Sequence, residues 1–181
     1  MFEIKKILKK DFFYILAPFL IFFKLLNAEI KRFILIKSNF KCFSFKEIGS
    51  ILKKKPKKSL VIVGAGSSLD ELTLEEKNSL KRYLNFGISR VFDLDITFDI
   101  LYCEFSYTSI DWLNKFTMEI NSKPDKFKNT ILAIAVSNKY FDLGLYHNFM
   151  NKLDGKLRKN VRFIISITSL NDNKILDFMS N

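Results

Sequence analysis

The amino-acid sequence predicts an α/β fold: a doubly wound, mostly parallel, Rossmann-like sheet preceded by a basic and apolar N-terminal helical segment. Two observations predict the sheet. A continuous apolar run at residues 60–63 ends at Gly64, and strand-like and helix-like segments alternate after it. A third observation predicts the segment in front: all of the net charge of +11 lies in residues 1–58, whereas residues 59–181 are electrically neutral. We therefore expect two parts, a basic and apolar segment with its linker (1–58) and a neutral α/β domain (59–181).

The N-terminal segment combines lysines with a long apolar run. Four lysines fall within residues 2–10, and residues 12–23 carry no charge. A bilayer-spanning helix needs about 20 apolar residues, and this run contains Pro18 and is followed by Lys24. These features favour a segment that lies in the interface of an anionic membrane without spanning it. A cleaved signal peptide ending near Ala28, a tilted spanning helix and a helix packed on the domain remain alternatives.

The lysine run at residues 53–58, interrupted by Pro56, is typical of a solvated linker. Near anionic lipid it would add an attraction of roughly 1 kcal/mol per basic residue. Because the basic third of the chain is also rich in apolar residues, we expect a membrane surface as its partner and no nucleic acid. Two cysteines and one histidine indicate neither a disulfide framework nor a histidine metal site.

The neutral part begins with the apolar run at residues 60–63, which is typical of a strand buried on both faces and therefore predicts a central strand. Thr73 and Glu76 have capping-box spacing and predict the start of a helix that ends near Leu84. Further strands are predicted at residues 85–89, 100–104, 131–136 and 161–167. Helices are predicted near residues 110–120 and 140–157.

The turn after the first strand contains the residues best suited to bind a phosphate. Glycines bring backbone N–H groups close to an anion, a following helix adds a partial positive charge, and serine hydroxyls donate hydrogen bonds. The residues that share this role are Gly64, Gly66, Ser67 and Ser68. Leu69 replaces the third glycine of a dinucleotide-binding motif, and no P-loop lysine follows. A tight turn without a ligand is the equally favoured alternative.

The segment VIVGAGSSLDEL at residues 61–72 resembles the opening of bacterial sialyltransferase-like glycosyltransferases of lipooligosaccharide and capsule biosynthesis. Residues 87–90 and 99–105 are similar to the second and third strands of that family. The resemblance implies a nucleotide-sugar donor, in particular a cytidine monophosphate sugar, bound over the first turn. Mapped by position, it places Gly64, Gly66, Ser67, Ser68 and Ser89 near the nucleotide.

The chain departs from the family pattern at several positions. Ala65 and Ser89 stand where the family has asparagines, and Ser67 stands where it has a proline. The C-terminal histidine and tyrosine pair of the family have no counterpart that we can match. A fragment, a partner-dependent subunit and a degenerate relative of the family therefore remain alternatives to a complete enzyme.

Other polar residues are candidates from their place in the predicted elements. Glu104 ends a predicted strand, and Ser137 and Asn138 follow another, so we add them to the nucleotide site by the rule that ligands bind at strand ends near a topological switch point. His147 has the chemistry of a general base, although a surface or packed histidine is favoured. Asp93 and Asp95 have oxygen ligands suited to a divalent metal, although a solvated turn is favoured.

The resemblance, together with these features, implies a glycosyltransferase-like protein that transfers a sugar from a nucleotide-sugar donor to a glycan acceptor. We expect residues 1–58 to attach it to the cytoplasmic face of a bacterial inner membrane, and residues 59–181 to form a nucleotide-binding domain that is complete or a fragment. A base must remove the acceptor proton, and the sequence does not name that base. A non-catalytic or truncated nucleotide-binding scaffold is the main alternative. An NAD-dependent oxidoreductase is less favoured, because residues 80–90 lack the acidic residue that binds ribose in such enzymes.

Overall fold

The computed structural model describes residues 2–57, 59–64, 71–88, 91–92, 94–104, 110–137 and 141–166. Within these ranges the helices are α1 Phe2–Lys37, α2 Phe45–Lys53, α3 Leu74–Leu80, α4 Ile110–Ser122, α5 Pro124–Phe127, α6 Leu143–Lys152 and α7 Gly155–Arg158. The strands are β1 Leu60–Val63, β2 Leu84–Ile88, β3 Ile100–Glu104, β4 Ile131–Ser137 and β5 Val161–Ser166.

The strands form one parallel sheet in the order β1-β2-β3-β4-β5. This confirms the predicted α/β class with a parallel, Rossmann-like sheet, and β3 has the predicted bounds. The winding is simpler than predicted, because the order of the described strands follows the chain without a reversal. Right-handed crossovers between strands in such an order place their helices on the same face of the sheet.

The prediction that residues 60–63 form a central strand is wrong, because β1 lies at the edge of the described sheet. Val63 is buried, but Leu60 and Ile62 on the opposite face are 50% and 60% exposed. An apolar run of four residues shows that a strand is present, yet it does not distinguish a strand covered on two faces from an edge strand covered on one.

The first face of the sheet is covered by the crossover segments. Strand side chains such as Val63, Leu101 and Ile134 share one buried cluster with Phe116 of α4 and Phe149 of α6. The rings of Phe116 and Phe149 lie 6.4 Å apart between centroids. This cluster is the main hydrophobic core, and it fixes the strands relative to the helices that cover them.

The second face is covered by α2, a helix that the sequence analysis did not predict. Its N-terminus has a complete capping box. The Ser44 side chain accepts a hydrogen bond from the backbone N–H of Glu47, and the Glu47 side chain accepts one from the backbone N–H of Ser44. Ile48, Ile51 and Leu52 pack against a small buried group on the sheet. That group consists of Leu84, Ile100 and Ala133. Helices therefore lie on both faces, but the one on the second face comes from the N-terminal part of the chain.

The C-terminal part of α1 packs along β5. Leu35 is fully buried, and the helix ends where Asn39 adopts a left-handed conformation (φ 63°). Residues 41–43 then run beside β5, since Phe43 N–H donates to Phe163 O (2.9 Å) and Phe163 N–H donates to Lys41 O (2.8 Å). The packed-helix alternative therefore describes this part of α1. The predicted division at residue 58 stays a prediction, although residues on both sides of it share one core.

The preceding part of α1 exposes its apolar side chains. Five consecutive residues, from Phe19 to Phe23, are 43–62% exposed, and they cover every side of the helix. Pro18 lies within the helix without ending it. In the part of the chain that the structure describes, no helix is long and apolar enough to cross a membrane.

Candidate functional site

The carboxyl edge of the sheet brings together the described residues of the predicted nucleotide site. Gly64 follows β1, Glu104 is the last residue of β3, and Ser137 is the last residue of β4. All strands are parallel, so these positions lie at the same edge. The register places Gly64 level with Tyr102, two residues before Glu104, and one strand, β2, lies between them. The distance from β1 to β3 is two inter-strand spacings, about 10 Å, which one nucleotide can bridge.

Several predicted site residues lie outside the described residues, and their roles stay predictions. They are Gly66, Ser67, Ser68, Ser89, Asn138 and Asp93.

Gly64 is a glycine that neither packing nor backbone geometry requires. It has no positive φ, and among the described residues nothing lies within 4 Å of a Cβ added to it. Gly87 in β2 is the opposite case, because its Cβ would lie 2.7 Å from Val91 Cγ2. Open space around Gly64 leaves its backbone accessible, as the binding of a phosphate at this turn would need.

Glu104 lies on the second face of the sheet beside Tyr102, because residues two apart in a strand point to the same side. Both side chains are half-buried. Burial, followed by the neighbouring Glu104 carboxylate, raises the pKa of the Tyr102 hydroxyl above its ordinary value. Tyr102 also stacks on Phe86, with ring centroids 6.1 Å apart. This edge therefore offers a hydroxyl donor, a carboxylate acceptor and an aromatic surface.

Tyr102 and Phe86 were missed by the sequence analysis. The alternation within residues 100–104 was the available signal for Tyr102, since it puts Tyr102 and Glu104 on one face. The sequence argument that placed Glu104 at a topological switch point is wrong for the described sheet, because its strand order has no reversal. Glu104 lies at the carboxyl edge simply because it ends β3.

Asp142 is a further carboxylate at this edge that the sequence analysis missed. It is the N-cap of α6, and its Oδ1 accepts hydrogen bonds from the backbone N–H groups of Gly144 (2.8 Å) and Leu145 (3.2 Å). An aspartate directly before an apolar helical pattern was the signal. These hydrogen bonds satisfy the first turn of α6, so the carboxylate already has a structural role.

His147 lies on the opposite side of the molecule from Gly64. It is exposed on α6, which connects β4 to β5, and its ring centroid lies 4.6 Å from that of Phe40. Gly64 follows β1, which is the other edge strand. The structure therefore does not bring His147 to the turn at residue 64, and its surroundings are those of a surface histidine packed against an aromatic ring.

The structure gives no support for a metal site in the residues that it describes, where no three His, Cys, Asp or Glu residues group together. Asp95 is exposed, and Asp93 lies outside the described residues. Asp99 forms an ion pair with Lys55. The Asp93 and Asp95 site stays a prediction.

A cavity of about 170 Å³ lies between α1 and β5, away from the carboxyl-edge residues of β1 and β3. Ala28, Arg32, Cys42 and Ile165 are among its lining residues. Burial raises the pKa of the Cys42 thiol, and the nearby Arg32 opposes that effect. Ligand pockets have volumes of about 300–1,000 Å³, so this cavity is too small for a nucleotide sugar.

Comparison of the chain with protein-family models, curated proteins and solved structures finds no match.

Proposed function

We propose that this chain is a glycosyltransferase-like protein of bacterial surface-polysaccharide biosynthesis that binds a nucleotide-sugar donor at the carboxyl edge of its sheet. The position of Gly64 at the end of β1 is the observation that supports the proposal. The turn that resembles the donor-binding turn of bacterial sialyltransferase-like enzymes begins there, where a parallel strand ends and the backbone is open. Strand ends of parallel sheets are the usual binding sites of nucleotides in α/β proteins.

The donor phosphate would be held without a cation from the turn itself. Neither lysine nor arginine occurs between Ser59 and Glu76, so backbone N–H groups and the hydroxyls of Ser67 and Ser68 supply the hydrogen bonds. The Tyr102 hydroxyl and the Glu104 carboxylate are suited to hydroxyl groups of the ribose or the sugar. Binding through neutral donors alone is expected to be modest.

Attachment to the membrane supports the same function. Helix α1 exposes large apolar side chains from Phe19 to Phe33, and the N-terminal 58 residues hold the whole net charge. Such a segment binds anionic lipid through both its apolar surface and its lysines. The proposed location is therefore the cytoplasmic face of the inner membrane, where a nucleotide-sugar donor and a glycan acceptor can meet.

A non-catalytic nucleotide-binding module is the second candidate. It is favoured by the position of His147, which packs on Phe40 near β5 and not at the edge that carries Gly64. The two candidates differ in turnover: an enzyme releases cytidine monophosphate from its sugar donor, whereas a binding module does not.

Calorimetric titration of cytidine monophosphate, uridine diphosphate and NAD tests the proposal on the full chain. The test variants are Gly64→Val and Gly66→Val, in which a branched side chain fills the turn. Gly155→Val is the matched control, because a Cβ at Gly155 also meets nothing within 4 Å and Gly155 lies in α7. We expect cytidine monophosphate to bind the wild type and Gly155→Val and to lose binding in both turn variants.

Two outcomes would remove the proposal. Tight binding of NAD in place of the cytidine nucleotide would favour an oxidoreductase. Failure of all three compounds to bind at millimolar concentration would leave the turn without a ligand. Circular dichroism of each variant shows whether a loss of binding reflects the turn or a loss of fold.

A further inference from the structure

Helix α1 carries an apolar stripe on the side that faces away from the domain. The stripe consists of Phe19, Phe23, Leu26, Ile30 and Phe33, which are 45–62% exposed. Their spacing of three or four residues places them along one line of the helix. The buried residues Ala28 and Leu35 lie about half a turn away, because successive residues rotate by about 100°.

The stripe runs along two different parts of α1. Ala28, Glu29 and Arg32 line the cavity beside Ile164 and Ile165, close to the carboxyl end of β5. The chain then continues from the helix to residues 41–43, which run parallel to β5. Residues 2–27 precede this part of α1 and form about 39 Å of helix at a rise of 1.5 Å per residue; we call them the extension. Phe19, Phe23 and Leu26 lie on this extension, whereas Ile30 and Phe33 lie where α1 packs on the sheet.

We propose that the stripe of α1 lies flat on an anionic bilayer, with the helix axis in the membrane plane and the domain on the opposite side of the helix. This inference rests on the membrane attachment proposed above and adds the contact surface and the orientation. The exposed side chains of Ile30 and Phe33 are the observation that supports flat docking. They would face water if only the extension before Ala28 entered the membrane, whereas flat docking covers the whole stripe.

The charge of α1 favours a lipid surface over a second copy of the chain. Residues 2–37 contain eight basic and three acidic residues, a net charge of +5. Two α1 helices in contact would bring these like charges together, while an anionic surface attracts each basic residue by about 1 kcal/mol. Lys37 Nζ lies 5.4 Å from the centroid of the Phe33 ring, at the end of the stripe. A lysine there can reach headgroups while its stem stays on apolar surface.

The width of the apolar surface also favours lipid. Beside the stripe, Leu20, Ile21, Phe22 and Leu25 are 43–58% exposed, so the helix is apolar on all sides over this part. A helical pair needs only a narrow apolar seam flanked by polar residues. An interfacial helix sinks about 5–10 Å into the boundary between headgroups and acyl chains, a depth that covers the flanks as well.

Vesicle flotation of the full chain tests the flat arrangement. The vesicles contain phosphatidylcholine alone or mixed with phosphatidylglycerol. Phe23→Glu changes the stripe on the extension, and Phe33→Glu changes it where α1 packs on the sheet. Phe45→Glu is the matched control, because Phe45 is 87% exposed but lies on α2. We expect the wild type and Phe45→Glu to bind the anionic vesicles equally, and both stripe variants to bind about tenfold less or weaker still.

Each alternative arrangement gives a different result. Wild-type binding of Phe33→Glu together with loss in Phe23→Glu would overturn flat docking and leave only the extension in the lipid. A lipid-free dimer that Phe33→Glu dissociates would make a second copy the occupant of the stripe. Absence of wild-type binding to either vesicle would remove the membrane attachment itself. Nucleotide titration in the absence of vesicles is independent of all three results.

Phe33 is 59% exposed, so the Phe33→Glu chain should remain folded. Thermal unfolding of this variant followed by circular dichroism checks that point. Phe33→Ser provides a second variant without an added negative charge, and it should weaken binding in the same direction. A Phe33→Ser chain that binds as the wild type does would show that charge repulsion, and not loss of the stripe, caused the effect, which would overturn the proposal.

Discussion

Lys55 Nζ lies 2.7 Å from Asp99 Oδ2, and the two side chains are only 17% and 20% exposed. The same carboxylate oxygen accepts a hydrogen bond from the buried backbone N–H of Asn85 (2.9 Å). One member of the lysine run at residues 53–58 therefore joins the end of α2 to the start of β3, while the sequence analysis favoured a solvated linker for the whole run.

We expect Asp99→Ala to lower the free energy of unfolding by about 1–3 kcal/mol, because the N–H of Asn85 loses this acceptor and the ammonium of Lys55 loses its partner. Denaturant unfolding measures the change. Asp125→Ala is the matched control, since the ion pair of Asp125 with Lys128 is exposed and 3.7 Å long. Such surface pairs contribute about 0–1 kcal/mol. Equal effects of the two variants would contradict a structural role for Asp99.

Gly87→Ala should destabilise the protein by about 1–3 kcal/mol, the usual range for an overpacked core. The added Cβ would lie 2.7 Å from Val91 Cγ2 and 2.9 Å from Phe98 Cδ1, and both side chains are buried. Gly49→Ala is the control, because nothing lies within 4 Å of that Cβ and alanine favours the α2 helix. An unchanged unfolding midpoint for Gly87→Ala would show that β2 and residues 91–98 are less closely packed than described.

The Glu76 carboxylate provides a pH-dependent test of the α3 cap. Hydrogen bonds from the backbone N–H (2.8 Å) and hydroxyl of Thr73 lower the pKa of Glu76 below its ordinary value. A lowered pKa in the folded state adds stability above the pKa of the unfolded chain, and this stability is lost as the pH falls through the folded-state pKa. Thr73→Val removes the hydroxyl and should raise the pKa of Glu76. Carbon-detected NMR titration measures the shift, and an unchanged pKa would contradict the capping box.

The two cysteines should differ in reactivity. Cys103 is fully buried in β3, and burial raises the pKa of its thiol well above the ordinary value. Cys42 is half-buried beside the α1 cavity. Because the thiolate is the reactive form, we expect Cys42 to react slowly with a thiol reagent and Cys103 to react only after unfolding. Mass spectrometry of the labelled peptides identifies each product, and labelling of Cys103 first would contradict the burial of β3.

Two neighbouring residues of β1 test its position at the edge of the sheet. Ile62 is 60% exposed and Val63 is buried. Ile62→Lys should change the free energy of unfolding by no more than about 0.5 kcal/mol. Val63→Lys should destabilise the protein severely, because it buries an unpaired charge. If Ile62→Lys unfolds the chain, another element must cover the second face of β1.

Local patterns predicted most elements, and the errors arise where distant parts of the chain decide the structure. The short apolar run that ends at Glu104 predicted the bounds of β3. The helix predicted at residues 140–157 is divided, because Asp154 caps a second helix, α7, after the extended residue Leu153. Helix α2 escaped prediction because residues 1–58 were assigned as a whole to a membrane segment and a linker, although Ser44 and Glu47 have capping-box spacing.

The candidate site was predicted in part for the same reason. Gly64 and Glu104 follow from strand ends, which local patterns locate. The stacking of Tyr102 on Phe86 depends on the register between β2 and β3, and the exposure of Ile62 depends on where α2 lies. Register and layer coverage are set by contacts between segments far apart in the chain, so a single sequence did not reveal them.

The pairing of the N-terminal part of the chain with the last strand has a consequence for synthesis on the ribosome. Strands β1 to β5 can join the growing sheet in the order in which they are made. Glu47 cannot form its ion pair until Arg162, 115 residues later, has been made. Residues 41–43 likewise cannot form their backbone hydrogen bonds until Phe163 has been made. The contacts that Glu47 and residues 41–43 make with β5 therefore form last, although the segment that makes them is synthesised first. Until β5 has been made, the nascent chain therefore carries a basic, apolar segment that has not yet met all of its partners in the domain.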